Sequence, residues 1–235
     1  MDKLYIIIPA YNEEENITQV AKEWHKVVSA ANIESRLVII NDGSKDNTEN
    51  VLTALEPELP QLVVVTKPNS GHGATVLFGY RYALDNGADY IFQTDSDGQT
   101  MPSEFSAFWY LREQYSALIG NRNQRQDGLS RVLVTKTLKF VLWCVYGVWV
   151  TDANTPFRLM SRQILEQYLP IIPKDYNLPN VILTLCFVKY KENIEFIPIT
   201  FRQRQGGVNS INFKKIVGIG KRAIKDFRMI RKMLK

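Results

Sequence analysis

The sequence predicts an α/β fold, a mostly parallel sheet flanked by helices, on two observations. In the first half of the chain short β-branched runs alternate with helical patterns, and three of these runs end in polar, loop-forming segments. That βαβα rhythm builds parallel sheets covered on both faces. The chain can also bury a full core: 235 residues, 45% of them hydrophobic, fit one domain or one domain with an appendage.

In order along the chain, strand patterns span 4–9, 36–40, 61–65 and 90–93, and helical patterns span 13–30, 46–55 and 74–85. Asn12 followed by Glu15 reads as a capping box for the first helix, which places Pro9, Ala10 and Tyr11 in the turn after the first strand. Ligands of open α/β sheets gather in such turns. The second half is less regular, with a helix near 102–115, an apolar stretch at 132–150, short helices near 161–168 and 178–189, and a strand at 194–201. Lys136 and Lys139 interrupt the apolar stretch, and its uncharged part, Phe140 to Val150, has 11 residues. A spanning helix needs about 20, so this segment is read as interfacial or core.

The net charge of +5 hides an asymmetry, because residues 201–235 hold 11 Lys/Arg against one acid, Asp226. From Phe213 to Leu234 the apolar residues fall on one helical face and the lysines and arginines lie largely elsewhere. This predicts a basic amphipathic C-terminal helix that either packs on the domain or lies on an anionic membrane surface. A nucleic-acid partner is disfavoured, since the tail lacks an RNA-binding signature. The two cysteines, Cys144 and Cys186, sit in apolar surroundings and are too few for a disulfide scaffold, which favours a reducing compartment. The N-terminus enters a strand pattern without a charged n-region and cleavage site, so a cytoplasmic location is expected.

The sharpest chemical feature is Thr94-Asp95-Ser96-Asp97-Gly98-Gln99, directly after a strand pattern. Two carboxylates and an amide oxygen at alternate positions, Asp95, Asp97 and Gln99, suit one hard cation such as Mg²⁺ or Mn²⁺. Ile8 to Glu14 and Val38 to Ser44 also follow strand patterns, so a parallel sheet brings all three loops to one edge.

With these segments in this order and spacing, the sequence resembles family 2 glycosyltransferases of the GT-A fold over residues 4 to 160. The resemblance implies a nucleoside held by Pro9, Tyr11, Glu13 and Asp42, and a metal and diphosphate held by Asp95 and Asp97. Within the family the sequence is more similar to the dolichyl-phosphate mannose synthase group, whose Asp-x-Asp-x-Gln pattern adds Gln99 to the metal site. Gly120-Asn121-Arg122 is similar to that group's Gly-Ser-Arg segment, and Asp152 to Arg158 to its Asp-Pro-Thr-Ser-Gly-Phe-Arg segment. Thr155-Pro156 stands here in place of Ser-Gly. Arg204 to Ser210 resembles the group's Arg-, Gly- and Ser-containing segment before its C-terminal region.

The resemblance implies a catalytic domain over 1–210 followed by the basic helix over 211–235. It implies transfer of a sugar, with inversion, from a UDP- or GDP-sugar to a polyprenyl phosphate at the inner face of a membrane, where a membrane protein is a possible partner. An anionic acceptor approaching an anionic donor needs cations, and Arg122, Arg131 and Arg204 are the candidates. An ionised phosphate needs no strong base. A glycan or glycolipid hydroxyl, the alternative acceptor, would need one, and Asp152 is then the candidate. A non-catalytic nucleotide-binding module is the reading from another class. Asn69 to Gly73 reads as a tight turn near the donor, with His72 a surface loop residue; Trp143, Tyr146 and Trp149 read as an interfacial belt or as core.

Overall fold

Leu4, Ile6 and Ile8 pack on one face of a central sheet while Tyr5 and Ile7 pack on the other, the two-residue alternation of an extended strand. Val38 and Ile40 repeat the pattern against Leu37 and Ile39. Both sets are buried because helices cover both faces, which is why these strands read as unbroken apolar runs. The computed structural model describes residues 2–125, 143 and 146–202.

The chain runs β1 (Leu4–Ala10), α1 (Ile17–Ala31), β2 (Arg36–Asn41), α2 (Thr48–Leu55), β3 (Leu62–Thr66), α3 (His72–Asp85), β4 (Tyr90–Gln93), a 3-10 turn (Pro102–Glu104), α4 (Phe105–Leu111) and β5 (Ala117–Arg125). It continues through β6 (Arg158–Ser161), α5 (Arg162–Tyr168), α6 (Pro179–Lys189) and β7 (Ile194–Phe201). The strand order is β3-β2-β1-β4-β6-β5-β7. Every neighbouring pair is parallel except those made by β6, which runs antiparallel to β4 and β5. The predicted α/β class and mostly parallel sheet are therefore correct.

Three local expectations are corrected. β1 runs to Ala10, so Pro9 and Ala10, expected in the turn after it, belong to the strand. Pro9 is tolerated in a central strand because β1 pairs with β4 only as far as Ile7↔Gln93, so β4 has peeled away where Pro9 lacks its N–H. The capping box does not form: α1 starts at Ile17, and Asn16 precedes it with no side-chain cap. Asn12 instead adopts φ 54° and accepts from the Lys45 amide in the next loop. The second half also holds two unpredicted strands, β5 and β6, and the helix expected over 102–115 is a 3-10 turn followed by the short α4.

On one face Trp24 of α1 lies among Phe92, Phe105 and Phe157, with ring centroids 5.3, 6.4 and 6.1 Å away. On the other, α3 reaches the sheet through Gly79, where a Cβ would lie 2.3 Å from Ile7 Cγ2 and 2.7 Å from Ile40 Cδ1. Among the described residues no helix is long and apolar enough to cross a membrane. Arg131, Arg204, Cys144, most of the 132–150 stretch and the whole C-terminal segment 211–235 lie outside the described residues.

Candidate active site at the strand ends

β1 leads to β2 on one side and has β4 on the other, so the strand order reverses between β1 and β4. The crevice outside the C-terminal strand ends at such a reversal is where open α/β sheets bind ligands. Three of the predicted segments meet there. The loops after β1 and β2 are interlocked: the Asn12 amide donates to Ser44 Oγ (3.0 Å) and the Lys45 amide returns to Asn12 Oδ1 (2.8 Å). The Glu13 amide donates to Thr48 Oγ1 (2.9 Å), the Glu14 amide to Asp46 Oδ2 (3.2 Å), and the Asn47 amide to Glu14 Oε2 (2.8 Å). Asn tolerates the left-handed backbone that this exchange requires at position 12. Tyr11 rides on this clamp and is 42% exposed, whereas Glu13 is buried and accepts from Asn16 Nδ2.

Asp42, at the end of β2, is buried, and its carboxylate is already occupied. Lys67 donates to it, the Ser70 amide reaches Oδ1 at 2.9 Å and the Gly71 amide reaches Oδ2 at 3.0 Å. Burial alone would raise its pKa. Hydrogen bonds from Lys67, the Ser70 amide and Thr75, together with the Lys67 charge, outweigh burial and hold the carboxyl below the usual aspartate range. The amides of the 69–73 turn thus hold Asp42, so the turn and the β2 loop form one unit. Lys67, at the end of β3, was not singled out in the sequence; its only signal there is a lysine one turn before Asn69-Ser70-Gly71.

After β4 the chain turns at Gly98, φ 69°. Asp97 Oδ1 accepts from the Gln99 amide at 3.1 Å. The Gln99 side chain is buried and donates Nε2 to the Arg202 carbonyl at 2.9 Å, while the Arg202 amide returns to the Gln99 carbonyl. This ties the acidic loop to the end of β7. Asp95 Oδ1 lies 3.5 Å from Gln93 Nε2 and 3.7 Å from His72 Nε2. His72 is therefore the first residue of α3 beside an acidic strand end, and not simply a surface loop residue. Among the described residues no group of three or more His, Cys, Asp or Glu side chains could hold a metal. Two partly exposed carboxylates, with substrate phosphate oxygens completing the shell, remain an ordinary arrangement for Mg²⁺ or Mn²⁺.

Arg122 and Asp152 are each other's partners. Nε meets Oδ2 and Nη2 meets Oδ1, both at 2.8 Å, and the guanidinium carbon lies 5.1 Å from the Phe201 ring centroid. Neither is a free cation or a free base in this arrangement. Behind them Arg158 is fully buried and holds the chain around Ala153 and Thr155 through their carbonyls, at 2.8 to 3.5 Å. Trp143 and Trp149 are 51% and 64% exposed, so neither is core, while Tyr146 packs partly against it. A cleft of about 730 Å³ lies elsewhere, between α1 and α4, lined by Val27, Ala30, Met101, Trp109 and Tyr110. Its size alone does not make it the site, because Asp42, Asp95 and Asp97 lie outside it.

An open sheet with polar loops gathered at a strand-order reversal defines a ligand-binding α/β protein, and comparison with known proteins places it in a family. The model of glycosyl transferase family 2 matches residues 5–169, and the chain belongs to that family. It is 26% identical over 220 residues to the undecaprenyl-phosphate 4-deoxy-4-formamido-L-arabinose transferase of Photorhabdus laumondii, covering 92% of this chain and 65% of that protein. It is 27% identical over 220 residues to the polyprenol monophosphomannose synthase of Mycolicibacterium smegmatis, covering 90% of this chain and 82% of that protein. Among solved structures, the glucosyl-3-phosphoglycerate synthase of Mycobacterium tuberculosis in complex with Mn²⁺, UDP and phosphoglyceric acid superposes with a TM-score of 0.71. That match is 16% identical and covers 98% of this chain and 78% of that one, which establishes a shared fold.

Proposed function

We propose that the chain transfers a sugar, with inversion, from a nucleotide diphosphate sugar to a polyprenyl phosphate, with Mg²⁺ or Mn²⁺ at Asp95 and Asp97. The observation that carries this reading is the meeting of Tyr11, the Asp42 turn and the Asp95–Asp97 loop at one strand-order reversal. The partially exposed Tyr11 ring offers the nucleoside a stacking surface, and Pro9 and Glu13 fix the loop that presents it. Asp42 acts by holding the 67–71 turn beside the donor. A bound divalent cation would neutralise the diphosphate as it leaves, with Gln99 Oε1 as a further oxygen ligand.

The acceptor class is supported by the relatives' names and by one feature of this chain. Asp152, the base a hydroxyl acceptor would require, is engaged by Arg122 on both oxygens. A polyprenyl phosphate arrives ionised and needs no such base. Arg131 and Arg204 are proposed to receive its phosphate. Trp143 and Trp149, with the basic residues of 211–235, would hold the enzyme against an anionic leaflet, each Lys or Arg near the surface adding about 1 kcal/mol. Residues 1–210 are then the catalytic unit. Calorimetric titration with a panel of UDP- and GDP-sugars, with Mn²⁺ and with EDTA, tests the donor half. Metal-dependent binding of one nucleotide class, lost in Asp97→Ala, supports it; no binding of any donor contradicts it.

A further inference from the structure

Gln93, the last residue of β4, is fully buried two residues before Asp95. Its Oε1 accepts from Tyr80 Oη of α3 at 2.9 Å and from Asn180 Nδ2 of α6 at 2.8 Å, and Tyr80 Oη lies 3.1 Å from Asn180 Oδ1. The Gln93 amide is thus held by α3 and α6, and its Nε2 faces Asp95 Oδ1 at 3.5 Å. His72 Nε2 lies 3.7 Å from the same oxygen. Both neighbours approach Oδ1 of this partly exposed carboxylate. The arrangement is anchored further, since Arg158 donates to the Asn180 carbonyl at 3.2 Å and to Thr184 Oγ1 at 3.3 Å.

We propose that Tyr80 and Asn180 are positioning residues for Asp95: by fixing the Gln93 amide they hold the Asp95 carboxylate in the orientation that receives the cation. Neither touches a substrate. The inference rests on the reading of Asp95 as a metal residue. Such a triangle costs three buried polar side chains where aliphatic ones would fill the space, and each is satisfied only when the other two are present. The chain joins three elements, α3, β4 and α6, behind a single carboxylate.

The test uses the 235-residue chain and the Mn²⁺ concentration that half-saturates binding of the preferred nucleotide sugar, in wild type, Tyr80→Phe, Asn180→Leu and Asp95→Asn. Loosening Gln93, the partner of the proposed metal ligand, is expected to raise that concentration about 10-fold in both Tyr80→Phe and Asn180→Leu. Nucleotide affinity at saturating Mn²⁺ should stay within about twofold, a split that general loosening of the fold would not produce. Tyr80→Phe removes one oxygen from a packed ring, so the test remains readable if Asn180→Leu fails to fold. An unchanged Mn²⁺ requirement in a folded Tyr80→Phe, with Asp95→Asn raising it, overturns this proposal alone. An unchanged requirement in Asp95→Asn overturns the metal reading of Asp95 and this proposal together.

Discussion

Arg122 grips Asp152 with two parallel hydrogen bonds, each 2.8 Å long, and both side chains are nearly withdrawn from solvent, at 11% and 6% exposure. Fork-to-fork pairing of this kind fixes both partners in orientation. Removing the guanidinium takes two charge-assisted hydrogen bonds from a buried carboxylate. Arg122→Ala is therefore expected to destabilise the fold by about 3–5 kcal/mol, read from the urea midpoint. Arg122→Lys, with a point charge in place of the fork, should recover only part of that. A folded, fully stable Arg122→Ala with a weakened acceptor would return Arg122 to the acceptor-binding role expected from the sequence.

Asp42 and Asp46 both have carboxyls held below the ordinary aspartate value of 3.8, although burial pushes each the other way. For a group whose folded-state pKa is depressed, the stabilisation is present above the unfolded value and disappears as pH falls through the folded one. The stability difference between wild type and Asp42→Asn should thus be largest at neutral pH and shrink as the pH falls below the ordinary aspartate value of 3.8. Urea denaturation at stepped acid pH measures it, and a difference that stays constant on acidification would contradict a lowered Asp42 pKa in the folded state.

Gly79→Ala sets two effects against each other. Alanine in place of glycine within a helix gains about 0.5–1 kcal/mol. A Cβ placed 2.3 Å from Ile7 Cγ2 and 2.7 Å from Ile40 Cδ1 must displace packed side chains at the sheet surface. Overpacking of that kind costs about 1–3 kcal/mol, so the clash should win and the thermal midpoint should fall. A rise would show that α3 can move off the sheet without penalty.

Burial pushes the Cys186 thiol up to about 12. In a Cys144→Ser background Cys186 should resist alkylation at pH 8 in the native state and react once the chain is unfolded. Native reactivity at a rate comparable to a free thiol would contradict its placement in the core.

The gathering of the polar loops at one sheet edge was legible in the sequence, because parallel strands announce themselves as apolar runs and their polar ends share that edge. Tyr11, Asp42, Asp95 and Asp97 could be placed there before any coordinates. The partners of those residues could not. Lys67 reaches Asp42 across 25 residues of sequence, and Asn180 reaches Gln93, the neighbour of Asp95, across 87, through contacts that only the folded sheet creates. β5 was missed because Ala117-Leu118-Ile119 gives way at once to Gly120-Asn121-Arg122, too short an apolar run to read as a strand. β6 was missed because its four residues begin with Arg158, a charge that sequence patterns assign to solvent and the fold buries completely. The capping box misled because Asn12 and Glu15 have the right spacing, yet Asn12 is more useful locking the β1 loop to the β2 loop.

The central claim is most directly tested by transfer of a labelled sugar from the preferred nucleotide donor to a short-chain polyprenyl phosphate in detergent, with and without Mn²⁺. Acceptor-dependent, metal-dependent formation of the polyprenyl-linked sugar, abolished in Asp97→Ala, is the expected result. Donor binding without any transfer to the polyprenyl phosphate, together with transfer to a saccharide hydroxyl that Asp152→Asn abolishes, would contradict it.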